Sequence, residues 1–288
     1  MTKINDALKP LKNQPFHIMD GAGNDFVIAD LRRTGNMTEE AARVLGDRSG
    51  PFGADQIISL ISRGGVPAME IRNADGSVSA ACGNAARCIA HLLLNELEME
   101  TITFGSPAGP LHARRNSRGD IEVNMGPPRL AWDEIPLAEP APDTRFVELP
   151  QALLEPSGLK APSCVSMGNP HAVFFVEDAD SADLRTFGPL IENHAAFPER
   201  VNVSVASLEG DGLRLRTWER GVGITKACGT AACAALVSAV RRNLLPRTAT
   251  LRADGGLLDL TWEEATGDVF LAGPVGLHRS GTFDASSG

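Results

Sequence analysis

The sequence predicts an α+β protein of two pseudo-symmetric domains arising from an internal duplication, each mostly β-strand with one dominant apolar helix. Three observations predict it. First, Ala81-Cys82-Gly83-Asn84-Ala85-Ala86 returns as Ala227-Cys228-Gly229-Thr230-Ala231-Ala232, so Cys228 lies 146 positions beyond Cys82. Second, other matches fall in nearly the same register: Gly23-Asn24 with Gly168-Asn169, Gly119-Asp120-Ile121 with Gly267-Asp268-Val269, and Gly126-Pro127 with Gly273-Pro274. Third, short apolar or alternating runs bounded by Gly, Asn and Asp fill most of the remaining chain, the pattern of strands and turns.

The elements follow in order. Residues 1–14 carry lysines without an apolar core, so they read as an extension of little order rather than a secretory signal. Phe26–Ala29, Gln56–Ile61 and Ala68–Arg72 read as strands, and Glu39–Leu45 as a short surface helix. Ala85–Leu97 is rich in Ala and Leu, contains no Gly or Pro, and is the expected main helix of the first half. Trp132–Pro162, rich in proline and acid, is expected to carry the crossing between halves. In the second half Ala172–Val176, Val201–Ala206 and Leu213–Trp218 read as strands, Ala182–Glu192 as a short helix, and Ala231–Leu244 as the main helix. The stretch after Gly276 is expected to return to the first half. The domains are therefore 15–130 joined by 276–288, and 131–275, with 1–14 outside both.

Bulk properties exclude several classes. Of 288 residues, 43% are hydrophobic and 22% charged, as in an ordinary globular protein. The formal net charge of -9, without a basic run, argues against a nucleic-acid partner. No apolar run is long enough to span a bilayer, so no membrane partner is expected. The five cysteines, Cys82, Cys88, Cys164, Cys228 and Cys233, are odd in number and sparse, which argues for a reducing cytoplasm rather than a disulfide framework.

The cysteine motifs carry the chemistry. A helix start has unpaired N–H groups and the positive end of the helix dipole. A glycine after the cysteine lets a ligand approach the backbone, and Asn84 and Thr230 are capping residue types. The N–H groups at Gly83-Asn84 and Gly229-Thr230 therefore suit a carboxylate, and each thiol becomes easier to ionise. Two such helices directed at one carboxylate would place one thiol on each face of the adjacent carbon, which is what inversion of a stereocentre needs. Applying the offset of the duplication aligns Gln56 with Asn202 and Asn73 with Glu219. Asn24, Gln56, Asn73 and Cys82 then correspond to Asn169, Asn202, Glu219 and Cys228, which would surround one cleft if the halves faced each other. Cys88, Cys164 and Cys233 are read as packing. Neither the Cys82/Cys88 nor the Cys228/Cys233 spacing matches a zinc site with a histidine partner, so no metal is expected. A Cys82–Cys228 disulfide is read as an inactivating oxidation product, and a redox protein would carry a C-x-x-C pair, which is absent.

Eight stretches, taken together, resemble the diaminopimelate epimerases: Asp20-Gly21-Ala22-Gly23-Asn24-Asp25-Phe26-Val27, Gly53-Ala54-Asp55-Gln56, Asn73-Ala74-Asp75-Gly76-Ser77, Ala81 to Cys88, Gly168-Asn169-Pro170-His171, Glu199-Arg200-Val201-Asn202-Val203, Trp218-Glu219-Arg220-Gly221-Val222-Gly223, and Ala227 to Cys233. The resemblance covers nearly all of the chain after Gln14. It implies two domains, each a curled, largely antiparallel, barrel-like sheet around a central helix, closing over a cleft. It implies epimerisation of LL-2,6-diaminoheptanedioate to the meso form without a cofactor, in lysine and peptidoglycan synthesis. It implies Cys82 and Cys228 as acid–base groups, with substrate held by Asn24, Gln56, Asn73, Asn169, Asn202, Glu219 and Arg220 and by the backbone of Gly83-Asn84 and Gly229-Thr230. It also implies a homodimer. His171 is either a cleft residue supporting the thiols or a structural histidine. Arg220 suits a carboxylate and Glu219 an ammonium. The chain departs from the common pattern in having Ala85 and Ala231 where Gly often stands, and in lacking Tyr. The rival readings are a proline or hydroxyproline racemase of the same fold, which does not need the Glu219-Arg220 pair, and a non-catalytic amino-acid-binding protein, which does not need paired thiols.

Overall fold

The computed structural model describes residues 6–79 and 82–283, so residues 1–5 and 284–288, and Ala81 of the first cysteine motif, lie outside the described residues. The chain divides into two compact units, Met1–Val123 with Gly273–Gly288, and Asn124–Ala272.

The first unit begins with a hairpin. Pro15–Gly21 and Asn24–Asp30 pair antiparallel, with Gly21 opposite Asn24. The two loop residues, Ala22 and Gly23, have φ of 48° and 81°, as the type I′ turn of a two-residue hairpin requires. Asn24–Asp30 then pairs in parallel with Gln56–Arg63. A parallel neighbour needs a crossover, and helix α1 (Glu39–Gly46) lies in it. The Thr38 hydroxyl caps α1 by accepting from the Ala41 N–H, and Ala41, Ala42 and Leu45 face the core. Gln56–Arg63 folds back antiparallel onto Val66–Asn73. Helix α2 (Gly83–Glu96) follows. Thr101–Ser106 then pairs in parallel with Val66–Asn73 and antiparallel with Gly109–Arg115. The C-terminal strand Gly276–Thr282 pairs antiparallel with Pro15–Gly21.

The second unit repeats this order after the one-turn helix α3 (Gln151–Leu154). Ser163–Ser166 and Pro170–Phe175 form the opening antiparallel pair. Helix α4 (Leu184–Glu192) lies in the crossover to the parallel strand Asn202–Glu209, which folds back onto Gly212–Glu219. After helix α5 (Gly229–Arg241), Thr248–Ala253 pairs in parallel with Gly212–Glu219 and antiparallel with Gly256–Trp262. Like Cys82 and Cys228, the strand starts Gln56 and Asn202 and the helix starts Gly83 and Gly229 stand 146 positions apart. The architecture is thus a two-domain α+β fold with few helices. Every residue of α5 from Ala231 to Ala239 is buried, so its sequence is apolar all round rather than striped.

The strands run longer than the apolar patterns suggested, since Arg63 and Glu209 at the far ends still pair through their backbones. The stretch Trp132–Pro162 lies inside the second unit. Its prolines are interleaved with Ile135, Leu137, Val147, Leu154 and Leu159, all buried in that unit's core. Among the described residues no helix is long and apolar enough to cross a membrane.

Residues 6–14 are not a loose extension. Lys9–Leu11 forms a 3₁₀ turn, the Asn13 N–H donates to the Phe283 carbonyl, and the Phe283 N–H donates to the Gln14 carbonyl. Ala7 and Leu11 are buried, Leu11 in the same cluster as Phe16, Leu45 and Phe283. Lysines at neighbouring positions hide this pattern in the sequence. Leu11→Ala is expected to lower the unfolding free energy by about 2–5 kcal/mol in urea titration; an unchanged midpoint would mean that the segment contributes nothing to the core.

Candidate active site

In the first unit, register brings the predicted polar residues to one end of the sheet. Phe26 stands opposite Gln56, and Gln56 opposite Asn73. The Gln56 Nε2 donates to Asn73 Oδ1 at 3.0 Å, and Asn73 Nδ2 donates to Ser77 Oγ at 3.0 Å. Asn84, only 2% exposed, donates through Nδ2 to Asn24 Oδ1 at 2.7 Å, tying the start of α2 to the opening hairpin. That approach needs a small residue at Gly21, where a Cβ would lie 3.1 Å from the Asn84 carbonyl oxygen. Behind Asn24, Asp55 Oδ2 accepts from the Asp25 N–H, and the Arg48 guanidinium pairs with both Asp25 and Asp55 at 2.6 Å.

Cys82 is itself the N-cap of α2. Its backbone is extended, at φ -155° and ψ 106°, and its sulfur accepts from the Ala85 N–H at 3.4 Å. Cys228 is the N-cap of α5 in the same extended conformation. This differs from the capping roles expected for Asn84 and Thr230. Both fall in the first helical turn, because Gly83 and Gly229 already have helical geometry, and their side chains are engaged elsewhere. The first N–H groups of each helix, at Gly83-Asn84 and Gly229-Thr230, are those that have no intrahelical acceptor.

The second unit shows the counterpart set. Asn169 Nδ2 donates to Thr230 Oγ1 at 3.3 Å, and Thr230 Oγ1 lies 3.5 Å from Cys228 Sγ. Asn169 Oδ1 faces Nε2 of the fully buried His171 at 3.0 Å. Asn202, nearly fully buried, donates through Nδ2 to the Pro170 carbonyl and accepts on Oδ1 from the Arg220 N–H at 2.9 Å. Glu219 Oε1 accepts from Thr225 Oγ1 at 2.6 Å, and Arg220 Nη1 donates to the Glu199 carbonyl at 2.7 Å. The structure thus gathers Asn169, Thr230, Cys228 and Glu219 into one cluster, with Asn202 and Arg220 joined beside it.

Burial governs the ionisation of the thiol in this cluster. It pushes the Cys228 thiol well above its ordinary range, and the neighbouring Glu219 carboxylate adds to the shift. The expectation that a helix start makes the thiol easier to ionise therefore fails at Cys228, where desolvation and a like charge outweigh the partial charge of a helix end. Burial likewise holds the packed thiols Cys88 and Cys164 at about 12, and Cys233 is buried as well. Cys82, Cys88, Cys164, Cys228 and Cys233 all stand as thiols rather than disulfides. Burial, with a smaller contribution from Arg220, lowers His171 to about 3. His171 is thus neutral at physiological pH, and Nε2 carries the proton donated to Asn169 Oδ1.

One residue of this region escaped the sequence reading. Glu192, the last residue of α4, is buried and accepts from the Gly221 N–H and the Trp218 indole. The available signal was an acid at a helix C-terminus, where the dipole disfavours it.

The fold of the two duplicated units recurs among solved structures. A phenazine biosynthesis protein of the PhzF family from Enterococcus faecalis is similar at TM-score 0.68 and 17% identity, covering 94% of this chain and 98% of that one. A hydroxyproline epimerase from Agrobacterium vitis is similar at TM-score 0.57 and 15% identity, covering 95% and 92%. These likenesses establish the fold alone. The family model of diaminopimelate epimerase matches residues 16–131 and 163–277. A diaminopimelate epimerase of Acidiphilium cryptum (strain JF-5) is 47% identical over 277 residues, covering 95% of this chain and 97% of its relative. Another, of Methylobacterium sp. (strain 4-46), is 45% identical over 287 residues, covering 96% and 97%. The chain belongs to the diaminopimelate epimerase family.

His171 sets a pH dependence of stability. The native state resists protonation of the ring until about pH 3, while the unfolded state takes the proton near 6.5. Stability from this group is therefore fully present above pH 6.5 and falls as pH drops from 6.5 to about 3, by at most about 1.4 kcal/mol per pH unit. Urea unfolding across this range should show a steeper acid loss in the parent protein than in His171→Gln; equal slopes would contradict a neutral buried imidazole.

Proposed function

We propose that this protein epimerises LL-2,6-diaminoheptanedioate to the meso form, with Cys82 and Cys228 as its two proton-transfer groups. The observation that carries the assignment of the thiols is that each of two duplicated helices opens on a cysteine N-cap, in a chain of this family. The substrate is taken from the family, whose diaminopimelate epimerases of Acidiphilium cryptum and Methylobacterium sp. are 47% and 45% identical to this chain.

Inversion at a carbon needs a base on one face and an acid on the other. In the proposed reaction one cysteine, as thiolate, takes the α-proton. The electron pair moves into the adjacent carboxylate, and the other cysteine, as thiol, gives its proton to the opposite face. Each turnover exchanges the protonation of the two sulfurs, and the reverse reaction uses them in swapped roles. Burial and the neighbouring Glu219 raise the Cys228 thiol and favour its protonated form, the form that the proton-delivering group needs. The N–H groups of Gly83-Asn84 and Gly229-Thr230 bind the reacting carboxylate and stabilise the charge that builds on it.

The far end of the substrate is an ammonium and a second carboxylate. Arg220 suits the carboxylate and Glu219 the ammonium. Asn24, Gln56, Asn73 and Asn169 supply amide donors and acceptors, and Asn202 contributes by fixing the Arg220 backbone and through its remaining N–H. His171 acts through Asn169, whose amide orientation it sets. We further take the working protein to be a cytoplasmic homodimer serving lysine and peptidoglycan precursor synthesis.

With reductant present, Cys82→Ala and Cys228→Ala should each lower epimerisation of the LL substrate by roughly 10²–10⁴-fold, the usual contribution of a general acid or base. Near-parental activity in either variant would overturn the two-thiol assignment.

A further inference from the structure

Glu192 has no place in the reaction above, yet it is a carboxylate buried to 4% exposure next to residues that do. Its Oε2 accepts from Trp218 Nε1 at 2.7 Å. Its Oε1 accepts from the Gly221 N–H at 2.8 Å and from Arg200 Nη1 at 3.2 Å. A buried carboxylate is tolerated only when donors surround it. Here two of the three donors flank Glu219 and Arg220 directly, in sequence and in space.

The segment that Glu192 grips is the connection from strand Gly212–Glu219 to strand Gly223–Thr225. It closes tightly: the Val222 N–H donates to the Glu219 carbonyl, and Gly221 and Gly223 have φ of 76° and 104°. Side chains from two other segments pin its backbone, Asn202 at the Arg220 N–H and Glu192 at the Gly221 N–H. Helix α4 is also seated on the same strand, since a Cβ at Gly188 would lie 2.8 Å from Trp218 Cγ. A glycine at that position lets the helix come close enough for Glu192 to reach both donors.

We infer that Glu192 is a positioning residue for substrate recognition: by holding Trp218 and Gly221 it sets where the Glu219 and Arg220 side chains are presented. The inference rests on the reading that Arg220 and Glu219 bind the far end of the substrate. Glutamine is nearly isosteric but offers one acceptor oxygen and two N–H donors, so Glu192→Gln must set a donor against either Trp218 or Gly221. The turn then loses one of its anchors, without the cavity that a truncation would leave.

The full-length protein tests this with two readouts. The first is amide hydrogen exchange of the ligand-free protein at Gly221, which should accelerate in Glu192→Gln. The second is steady-state kinetics with the LL substrate. Loss of a hydrogen bond to a charged group corresponds to about a tenfold effect, so KM should rise about tenfold with a smaller change in kcat. In an Arg220→Ala background the same substitution should add less than about twofold, because residues acting through one contact are not additive. Unchanged exchange at Gly221, or a full tenfold addition on top of Arg220→Ala, would overturn the inference. Arg220→Ala with an unaltered KM would instead refute the role of Arg220, and exchange at Gly221 would still decide whether Glu192 holds the turn. If Glu192→Gln does not fold, Glu192→Asp keeps the carboxylate but is one methylene too short to meet both Trp218 Nε1 and the Gly221 N–H, and the same outcomes apply to it.

Discussion

An α-helix cannot satisfy its own first amide groups, and this constraint organises the molecule. At the starts of α2 and α5 the residue in the cap position is a cysteine, followed by a glycine. The cap position forces an extended backbone on the cysteine and leaves the next N–H groups directed outward. Whatever anion meets those groups also meets the sulfur. The surrounding elements serve to hold each helix start in place. In the first unit Asn84 ties it to Asn24 on the opening hairpin, and in the second Thr230 ties it to Asn169 on the equivalent turn. The two ties join different residue types at equivalent places, as expected of a duplication in which backbone geometry is retained while side chains diverge.

Divergence of the halves matters for chemistry. Around Cys228 the second unit has brought in Glu219, a carboxylate, where the first has Asn73, an amide. Burial and that carboxylate keep the Cys228 proton in place. An enzyme that abstracts and delivers protons with two identical groups needs them in opposite states at the start of each turnover, and unequal surroundings are one way to set that asymmetry. The same low-polarity region keeps His171 neutral, so its contribution is a fixed hydrogen-bond direction rather than a charge.

Much of this was legible in the sequence because backbone-dependent features leave local marks. The repeated Ala-Cys-Gly, the glycine-bearing turns and the apolar helices each stand in a short window, and the 146-residue spacing carried over to the strand starts Gln56 and Asn202. Long-range contacts left weaker marks. Leu11 joins the core through a strand pairing that brings Phe283 beside it, 272 residues away in the chain, so lysine-rich surroundings hid it. Trp132–Pro162 reads as a linker by composition, while its scattered apolar residues meet a core assembled elsewhere. Glu192 reads as a surface acid, and only the fold shows the indole and the amide that enclose it. The direction of the Cys228 shift was likewise hidden, since a helix end raises acidity by a local rule while burial is a property of the whole unit.

The central claim is that two different thiols act on one carbon. It is tested most directly by running the first turnovers of the LL substrate in heavy water and analysing both the meso product and the recovered substrate. Two groups acting on opposite faces predict meso product that carries solvent deuterium at the inverted carbon from the outset, while recovered LL substrate remains unlabelled. Meso product that retains the original α-proton would mean that a single group carries the proton from one face to the other, and would contradict the account.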